Sequence, residues 1–227
     1  MTRRASLELF MVGVAVLAAG CQQKLPPTPS ADVGPVANKG GEMGDPEMRR
    51  LDAAVRANPA RAEALSRRAD AWHARDRLDL ALRDYDEAIR LAPANSFLYD
   101  GRGFARHMHT PRLEAEARSD YDEAVRLDPR NHHALNNRAY LLATTLDDTV
   151  RDGKQAFADA TLACDLTGYA LPGYLDTLAV ACAEVGNFEQ AIRWQEKALE
   201  DVAFRREWGD NARAQLRLFR QRKPYRE

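Results

Sequence analysis

The sequence Asp84-Tyr85-Asp86-Glu87-Ala88 occurs twice without change, and this repetition decides which fold the chain predicts. The second copy is Asp120-Tyr121-Asp122-Glu123-Ala124, 36 positions further along. Each copy is followed by Arg-Leu-x-Pro, which ends at Pro93 and at Pro129, and an earlier Pro59 lies 34 positions before Pro93. Because proline ends a helix, a proline every 34 to 36 residues indicates helix–turn–helix units in tandem.

Small and large side chains follow one order within each unit. The first unit has Leu65, Ala69 and Trp72 on its first helix. Its second helix has a small–aromatic–small set, Ala81, Tyr85 and Ala88. The later units keep the pattern in weaker form: Tyr99, Gly103, Ala117, Tyr121 and Ala124 in the second; Leu135, Ala139, Leu142, Ala156, Ala160 and Ala163 in the third; and Leu175, Leu178, Ala179, Ala191 and Ala198 in the fourth. Small residues let antiparallel helices approach, and large residues fill the space beside them.

This order resembles the tetratricopeptide repeat (TPR), over residues 46 to about 221. The resemblance implies an all-α fold, a TPR-type α-solenoid in which antiparallel helix pairs form a right-handed superhelix. We predict a TPR domain at 46–205, with a half-repeat at 46–59 and repeats at about 62–95, 96–131, 132–170 and 172–205. The sequence departs from the repeat at Arg106, where an aromatic is usual, and at Ala203, where the closing proline is missing.

Amphipathic helices are predicted at both ends of the array. Asp45-Pro46 is a helix-starting pair, followed by an apolar stripe of Met48, Leu51, Ala54 and Val55. At the other end, 206–227 is predicted as a capping helix and basic tail, with Trp208, Ala212, Leu216 and Phe219 on one face. One apolar and one solvated face are what a terminal cap needs. The basic residues of the tail suit a solvated helix end or a contact with anionic lipid or polymer.

The first residues resemble an export signal. A basic pair at positions 3–4 precedes an apolar run at 9–19, shorter than the ~20 residues that a membrane-spanning helix needs. Leu17-Ala18-Ala19-Gly20-Cys21 resembles a bacterial lipobox, although Ala18 stands where leucine is usual. The resemblance implies a lipoprotein signal peptide at 1–20 and lipid attachment at Cys21. Ordinary cleaved export is the alternative.

Residues 21–45 are predicted to be the lipidated cysteine and a flexible tether. Residues 22–45 hold four prolines and four glycines and no aromatic residue. Such a stretch buries too little apolar surface to offset its ordering entropy. We therefore expect a lipid-anchored protein of the cell envelope. Gln22 after the cysteine implies, by the same resemblance, the periplasmic face of an outer membrane.

Composition excludes several functional classes. The chain has 33 Lys+Arg against 34 Asp+Glu, 45% hydrophobic and 7% aromatic residues. This balance disfavours nucleic-acid binding by bulk positive charge, and three cysteines are too few for a disulfide scaffold. Cys164 and Cys182 are predicted on neighbouring helices, either as small buried residues or as a disulfide in an oxidising compartment.

No residue pattern favours catalysis or a cofactor. The pairs His107/His109 and His132/His133 are predicted at opposite ends of the helical layer, too far apart for one metal. His73 and His107 are predicted on adjacent helices as solvated groove residues, without a third metal ligand. The acidic pairs Asp84/Asp86 and Asp120/Asp122 do not suit acid–base catalysis, since positions i and i+2 of a helix do not face each other, and the TPR resemblance implies that such pairs lie on the exposed face. We therefore predict a protein that is not an enzyme, with no metal or cofactor.

The TPR resemblance implies a concave face, lined by the first helix of each repeat, that holds a partner segment. The family positions two, five, nine and twelve give the candidate partner-binding residues Asp70, His73, Asp100, Phe104, His107, Asn136, Tyr140 and Asp176. The wider lining from the same positions is Glu63, Ser66, Phe97, His133, Ala143, Gly173, Val180 and Ala183.

This groove is acidic and aromatic. Its carboxylates would repel the C-terminal carboxylate that one variety of TPR protein binds. A basic or apolar segment, stacked near Phe104 and Tyr140, fits it better. The leading hypothesis is a membrane-tethered adaptor that scaffolds an assembly in the cell envelope. The alternatives are a periplasmic regulator that recruits a protease or cell-wall hydrolase, and a metal-dependent activity.

Overall fold

The computed structural model describes residues 45–109 and 113–227, and every regular element in this part of the chain is a helix. The ten helices are α1 (Pro46–Ala57), α2 (Ala62–His73), α3 (Leu78–Leu91), α4 (Ser96–His109), α5 (Glu114–Leu127), α6 (His132–Thr144), α7 (Gly153–Leu166), α8 (Pro172–Glu184), α9 (Phe188–Ala198) and α10 (Val202–Arg220). The predicted signal peptide, Cys21 and nearly all of the tether lie outside the described residues.

The helices pack in consecutive pairs. The most extensive contacts join α2 with α3, α4 with α5, α6 with α7, and α8 with α9. A second set joins alternate helices, α2 with α4, α4 with α6, α6 with α8, and α8 with α10, so that these five form one inner layer. The all-α array of helix pairs that the repeated prolines predict is therefore confirmed.

Small residues lie where paired helices approach most closely. Ala69, Ala81 and Ala88 are completely buried in the first repeat. Gly101 of α4 shows how tight this packing is: an added Cβ would lie 2.5 Å from the Tyr85 hydroxyl oxygen and 2.7 Å from its Cε1 atom. The aromatic ring of one helix therefore occupies the space that a missing side chain on the next helix leaves.

A ladder of arginine–aspartate ion pairs connects the first three repeats. Arg68 on α2 donates two hydrogen bonds to Asp84 on α3, at 2.7 and 2.8 Å, and one to Asp52 on α1 at 3.0 Å. The same arrangement recurs in the next two repeats as Arg102 with Asp120 and Asp86, and as Arg138 with Asp159 and Asp122. Each arginine thus joins its own helix pair to the helix that precedes the pair.

The ladder corrects the expectation that the repeated acidic pairs are surface residues. Asp84 and Asp120 are buried, with 7% and 3% of their surface exposed, and each binds the arginine of its own repeat. Asp86 is exposed and binds Arg102 of the next repeat. The two carboxylates of a pair point to different sides of the helix, as their spacing requires, and each side meets a different arginine.

The terminal helices cover the two ends of the array. On α1, Met48 is buried, and Asp45 caps the helix by accepting a hydrogen bond from the Glu47 amide at 2.9 Å. On α10, Ala212, Leu216 and Phe219 are buried, whereas most arginines of that helix are exposed. Helix α10 begins at Val202, within the range that the sequence assigns to the fourth repeat.

The chain after α10, residues 221–227, folds back across the array, and we name it the return segment. The chain reverses at Arg222, where φ is 56° and the Lys223 amide donates to the Leu218 carbonyl at 3.0 Å. The amide of Glu227 then donates to the Thr144 carbonyl, at the end of α6, at 2.8 Å. The return segment therefore lies against the inner layer of helices.

Cys164 and Cys182 lie on the neighbouring helices α7 and α8, as predicted, and both are buried free thiols. Burial raises the pKa of each thiol to about 12, because a thiolate is disfavoured away from water.

Candidate functional site

A cavity of about 320 Å³ lies on the inner side of the array, between α4, α6, α8 and α10. We name it the concave pocket. Its walls are rich in aromatic rings, which belong to Phe104, His107, His133, Tyr140, Tyr174, Phe204 and Trp208. Helices α4, α6 and α8 each contribute their inner faces, and α10 closes one side. Pockets with this character take an apolar or aromatic group and orient it through a few polar contacts.

The charged groups of the concave pocket all have one sign. They are the four carboxylates of Asp176, Asp201, Glu207 and Glu227, and no Lys or Arg is among the described residues that line it. Asp201 and Glu207 are exposed, so they lie at the rim. Low-dielectric walls with one sign of charge concentrate the electrostatic potential, which here favours a cation.

Burial modifies the acidity of the groove. It raises the pKa of Asp100 to about 7 and that of Asp176 to about 6. Near neutral pH these two carboxyl groups therefore carry less than a full charge each. The exposed carboxylates at the rim supply the negative charge that the buried aspartates do not.

Four of the eight predicted groove residues line the concave pocket. They are Phe104, His107, Tyr140 and Asp176. The His107 ring lies 6.2 Å from the Tyr140 ring and 6.4 Å from the Tyr121 ring, centroid to centroid. The Asp176 carboxylate accepts a hydrogen bond from the Gln195 amide at 2.5 Å. The structure therefore brings these four side chains to one cavity.

The other four predicted residues lie outside the pocket lining. Asp70 accepts a hydrogen bond from the Tyr85 hydroxyl, and burial raises its pKa. Asp100 is 5% exposed and accepts a hydrogen bond from Asn137 at 2.9 Å. Asn136 is 1% exposed. Asp100 therefore lies in the interface between α4 and α6, and neither Asp100 nor Asn136 is on the accessible surface.

His73 packs against rings of the next repeat. Its ring lies 5.5 Å from the Phe104 ring and 6.2 Å from the His109 ring, centroid to centroid. Burial lowers the pKa of His73 to about 4, and the same effect lowers the pKa of His133 to about 4. Both rings are therefore neutral at pH 7 and add aromatic surface without charge.

A second histidine cluster lies at the edge of the pocket. The Tyr174 hydroxyl lies 2.9 Å from Nδ1 of His132 and 3.1 Å from Nδ1 of His133. In the part of the chain that the structure describes, no group of three or more His, Cys, Asp or Glu residues is arranged to hold a metal ion. Within the same residues, no helix combines the length and the apolar character needed to cross a bilayer.

Sequence reasoning missed the contribution of α10 and the return segment. Phe204, Glu207 and Trp208 lie on one side of α10, at spacings of three and four residues, and all three line the pocket. Trp208 belongs to the apolar stripe that the sequence predicts for the capping helix. The spacing of Phe204 relative to Trp208 is a signal that extends this stripe toward the pocket. No local pattern indicates that Glu227 joins it.

Comparison with solved structures defines the fold class. The thermophilic TPR protein TTC0263 from Thermus thermophilus is similar with a TM-score of 0.61 and 19% identity, over 74% of this chain and 87% of that one. YrrB, a TPR protein with an unusual peptide-binding site, is similar with a TM-score of 0.55 and 18% identity, over 76% of this chain and 87% of YrrB. MamA is similar with a TM-score of 0.53 and 15% identity, over 73% of this chain and 89% of MamA.

The predicted fold class, an all-α TPR solenoid, is thereby confirmed. The helix pairs, the inner layer of alternate helices and these three structures agree on it. No protein-family model matches the sequence, and no curated protein matches it with significance.

Proposed function

We propose that this protein is a non-enzymatic interaction scaffold that binds a basic or apolar segment of a partner protein in the concave pocket. The observation that carries the proposal is the combination of aromatic walls with four carboxylates and no lining Lys or Arg in the described residues. A TPR solenoid offers such an inner surface as its working part. The peptide-binding site named for YrrB, a protein of the same fold, supports a peptide ligand.

The chemistry of the pocket favours a segment that combines apolar surface with positive charge. A lysine or arginine stem packs along aromatic rings while its cationic head stays near carboxylates, and a cation over a ring face contributes about 0.5–2 kcal/mol. An acidic segment would meet like charge at Asp201 and Glu207, which disfavours it. The expected preference is therefore basic or apolar over acidic, as the sequence predicts.

Binding of matched peptides tests this proposal. Peptides of equal length and apolar content, carrying basic, neutral or acidic residues, are titrated into the full-length protein at low salt. The basic set should bind most tightly, and added salt should weaken it. Tighter binding of the acidic set would contradict the proposal.

Truncation of the aromatic wall provides the matched mutational test. Trp208→Ala removes a large ring from the pocket and should weaken peptide binding about tenfold. Trp194→Ala is the control, because Trp194 lies on α9, stacks on Tyr169 and is outside the pocket. Circular dichroism should show the same helix content for both variants.

We further propose that the protein works at the cell envelope, attached through lipid at Cys21. This proposal rests on the lipobox-like sequence before Cys21 and on the Pro- and Gly-rich stretch after it. Two or three acyl chains hold a protein stably at a membrane. Labelling with a palmitate analogue should mark the wild type and not Cys21→Ala. Equal labelling, or none in either, would contradict the anchor and leave the proposed peptide site unaffected.

A further inference from the structure

We propose that the return segment is a fixed wall of the concave pocket, and that Glu227 in this segment selects a Lys or Arg side chain of the partner. This inference rests on the proposed function and adds to it the group that distinguishes a cationic from a neutral side chain. The observation that motivates it is the presence of Glu227 in the pocket lining, far in sequence from the lining residues of α4, α6 and α8.

The return segment is attached to the array at several points. The Glu227 amide donates to the Thr144 carbonyl at 2.8 Å. The Arg226 guanidinium makes two hydrogen bonds to the Glu184 carboxylate on α8, at 2.9 and 3.1 Å. Tyr225 packs against the largest apolar cluster of the described residues. A backbone bond, an ion pair and a packed ring together hold an extended segment in one place.

The Glu227 carboxylate is held in one orientation by two hydroxyl groups. Tyr140 donates to its Oε1 atom at 2.8 Å, and Tyr225 donates to its Oε2 atom at 2.6 Å. Each carboxylate oxygen can accept a further hydrogen bond. Tyr140 lines the pocket beside Glu227, so the remaining acceptor capacity lies next to the cavity.

Among the described residues, the pocket lining supplies no Lys or Arg for this carboxylate. Asp176 on α8 also lines the pocket. Burial is the main cause of its raised pKa, and the nearby Glu227 charge raises it further. The rings of Tyr140 and Tyr225 adjoin the carboxylate. An ammonium or guanidinium group from a partner would meet carboxylates and ring faces together, which is the arrangement that favours cations in aromatic sites.

A displaceable strap would fill the pocket, whereas the return segment leaves it open. The cavity of about 320 Å³ is present with Glu227 in its lining. A volume of this size holds one long side chain and a little of its backbone. The return segment therefore completes the pocket, and its loss should weaken binding instead of relieving a blockade.

The experiment uses the full-length protein and fluorescent peptides of one Leu–Ala framework that carry Arg, norleucine or Glu at the same positions. Glu227→Gln keeps the acceptor oxygen and removes the charge. It should weaken the Arg peptide about threefold to tenfold and leave the norleucine peptide unchanged. Glu189→Gln is the matched control, since Glu189 is exposed on α9 and outside the pocket. Tyr140→Phe, which removes one orienting hydroxyl, should give a smaller loss for the Arg peptide alone.

Charge reversal sharpens the test. Glu227→Lys should reduce the preference for the Arg peptide over the Glu peptide further than Glu227→Gln does, with helix content unchanged by circular dichroism. Unchanged or tighter Arg-peptide binding by Glu227→Gln would overturn the inference. If Trp208→Ala still weakens all peptides in that case, the proposed function stands and only the role of Glu227 is wrong. If neither variant changes binding, both proposals fail.

Discussion

The two halves of this solenoid are held together in different ways. Helices α1–α4 contribute to three small apolar clusters, each with no more than four buried members. Helices α5–α10 share one large cluster, which extends from Ala117 to Phe219. The first half therefore buries its apolar surface in separate patches, and the second half has a continuous core. The concave pocket lies mainly on the second half.

The arginine ladder extends across this division, since its third arginine lies on α6 and binds carboxylates of α5 and α7. Arg68, Arg102 and Arg138 are each the seventh residue of their helix, and the seventh residue of α8 is Leu178. Leu178 is 2% exposed and belongs to the large cluster. Where the ladder stops, an apolar side chain takes its place. One repeat geometry thus tolerates either buried ion pairs or apolar packing at the same position.

Breaking the ladder should have the largest effect on stability. Arg138→Met removes the partner of buried Asp159 and leaves that carboxylate with only the Gln155 amide, at 2.8 Å. We expect the free energy of unfolding to fall by about 3–5 kcal/mol, measured by urea denaturation. Arg126→Met, which breaks the exposed pair with Glu123, should change it by less than about 0.5 kcal/mol. A loss for Arg138→Met as small as that expected for Arg126→Met would show that the ladder is not structurally important.

Overpacking should distinguish the halves next. Gly101→Ala in α4 places a Cβ against the Tyr85 ring, which should lower the free energy of unfolding by about 1–3 kcal/mol. Gly173→Ala in α8 meets no atom within 4 Å, so the better helix propensity of alanine should leave stability equal or raise it by up to about 1 kcal/mol. Thermal denaturation of the two variants tests this contrast. A neutral Gly101→Ala would mean that the Tyr85 ring can move.

The junction between the halves should respond to pH through Asp100. Its folded-state pKa of about 7 lies above the ordinary aspartate value of 3.8, so the folded protein binds the extra proton between those values. The contribution of Asp100 to stability therefore falls as pH rises from about 4 to 7. Asp100→Asn keeps an acceptor for Asn137 and removes this loss.

We expect the free energy of unfolding of Asp100→Asn, measured by urea denaturation, to exceed that of wild type by about 1–3 kcal/mol at pH 7.5. This difference should vanish toward pH 4. The comparison of variant with wild type at each pH cancels the opposite contribution of His73 and His133. Their pKa values are lowered to about 4, so their contribution rises with pH. A difference that is constant with pH would contradict a raised pKa at Asp100.

The fold could be predicted because the repeat depends on spacing along the sequence. Prolines at fixed intervals and the small residues Ala69, Ala81 and Ala88 indicate paired helices without any information on which helices contact each other in space. The ladder was missed because its bonds connect helices. Asp84 and Asp86 look like a surface pair on one helix, and only the neighbouring arginines show that one of them is buried.

The candidate site was predictable only in part, for a related reason. Positions counted along the first helix of each repeat find Phe104, His107, Tyr140 and Asp176, because these helices form the inner layer. The same count selects Asp100 and Asn136, which the packing of adjacent inner helices buries. Glu227 also lines the pocket, and its position depends on a chain reversal after α10 that no repeat pattern encodes.

The smallest effects should come from two equivalent turns, one in each half. After α2, the amide of Arg77 donates to the Trp72 carbonyl at 2.9 Å; after α8, that of Asn187 donates to the Cys182 carbonyl at 2.8 Å. The residue before each amide has positive φ: 58° at Asp76 and 82° at Gly186.

Only glycine adopts this conformation without steric cost. Asp76→Gly should therefore raise the free energy of unfolding by about 0.5 kcal/mol. Gly186→Ala should lower it by about 1 kcal/mol. An added Cβ at Gly186 would meet no atom within 4 Å, so that loss would report the backbone alone. Ala74→Gly is the control in the first turn, since Ala74 has φ of −59° and glycine there should destabilise. If Asp76→Gly also destabilises in urea denaturation, side-chain contacts of Asp76 outweigh its backbone conformation.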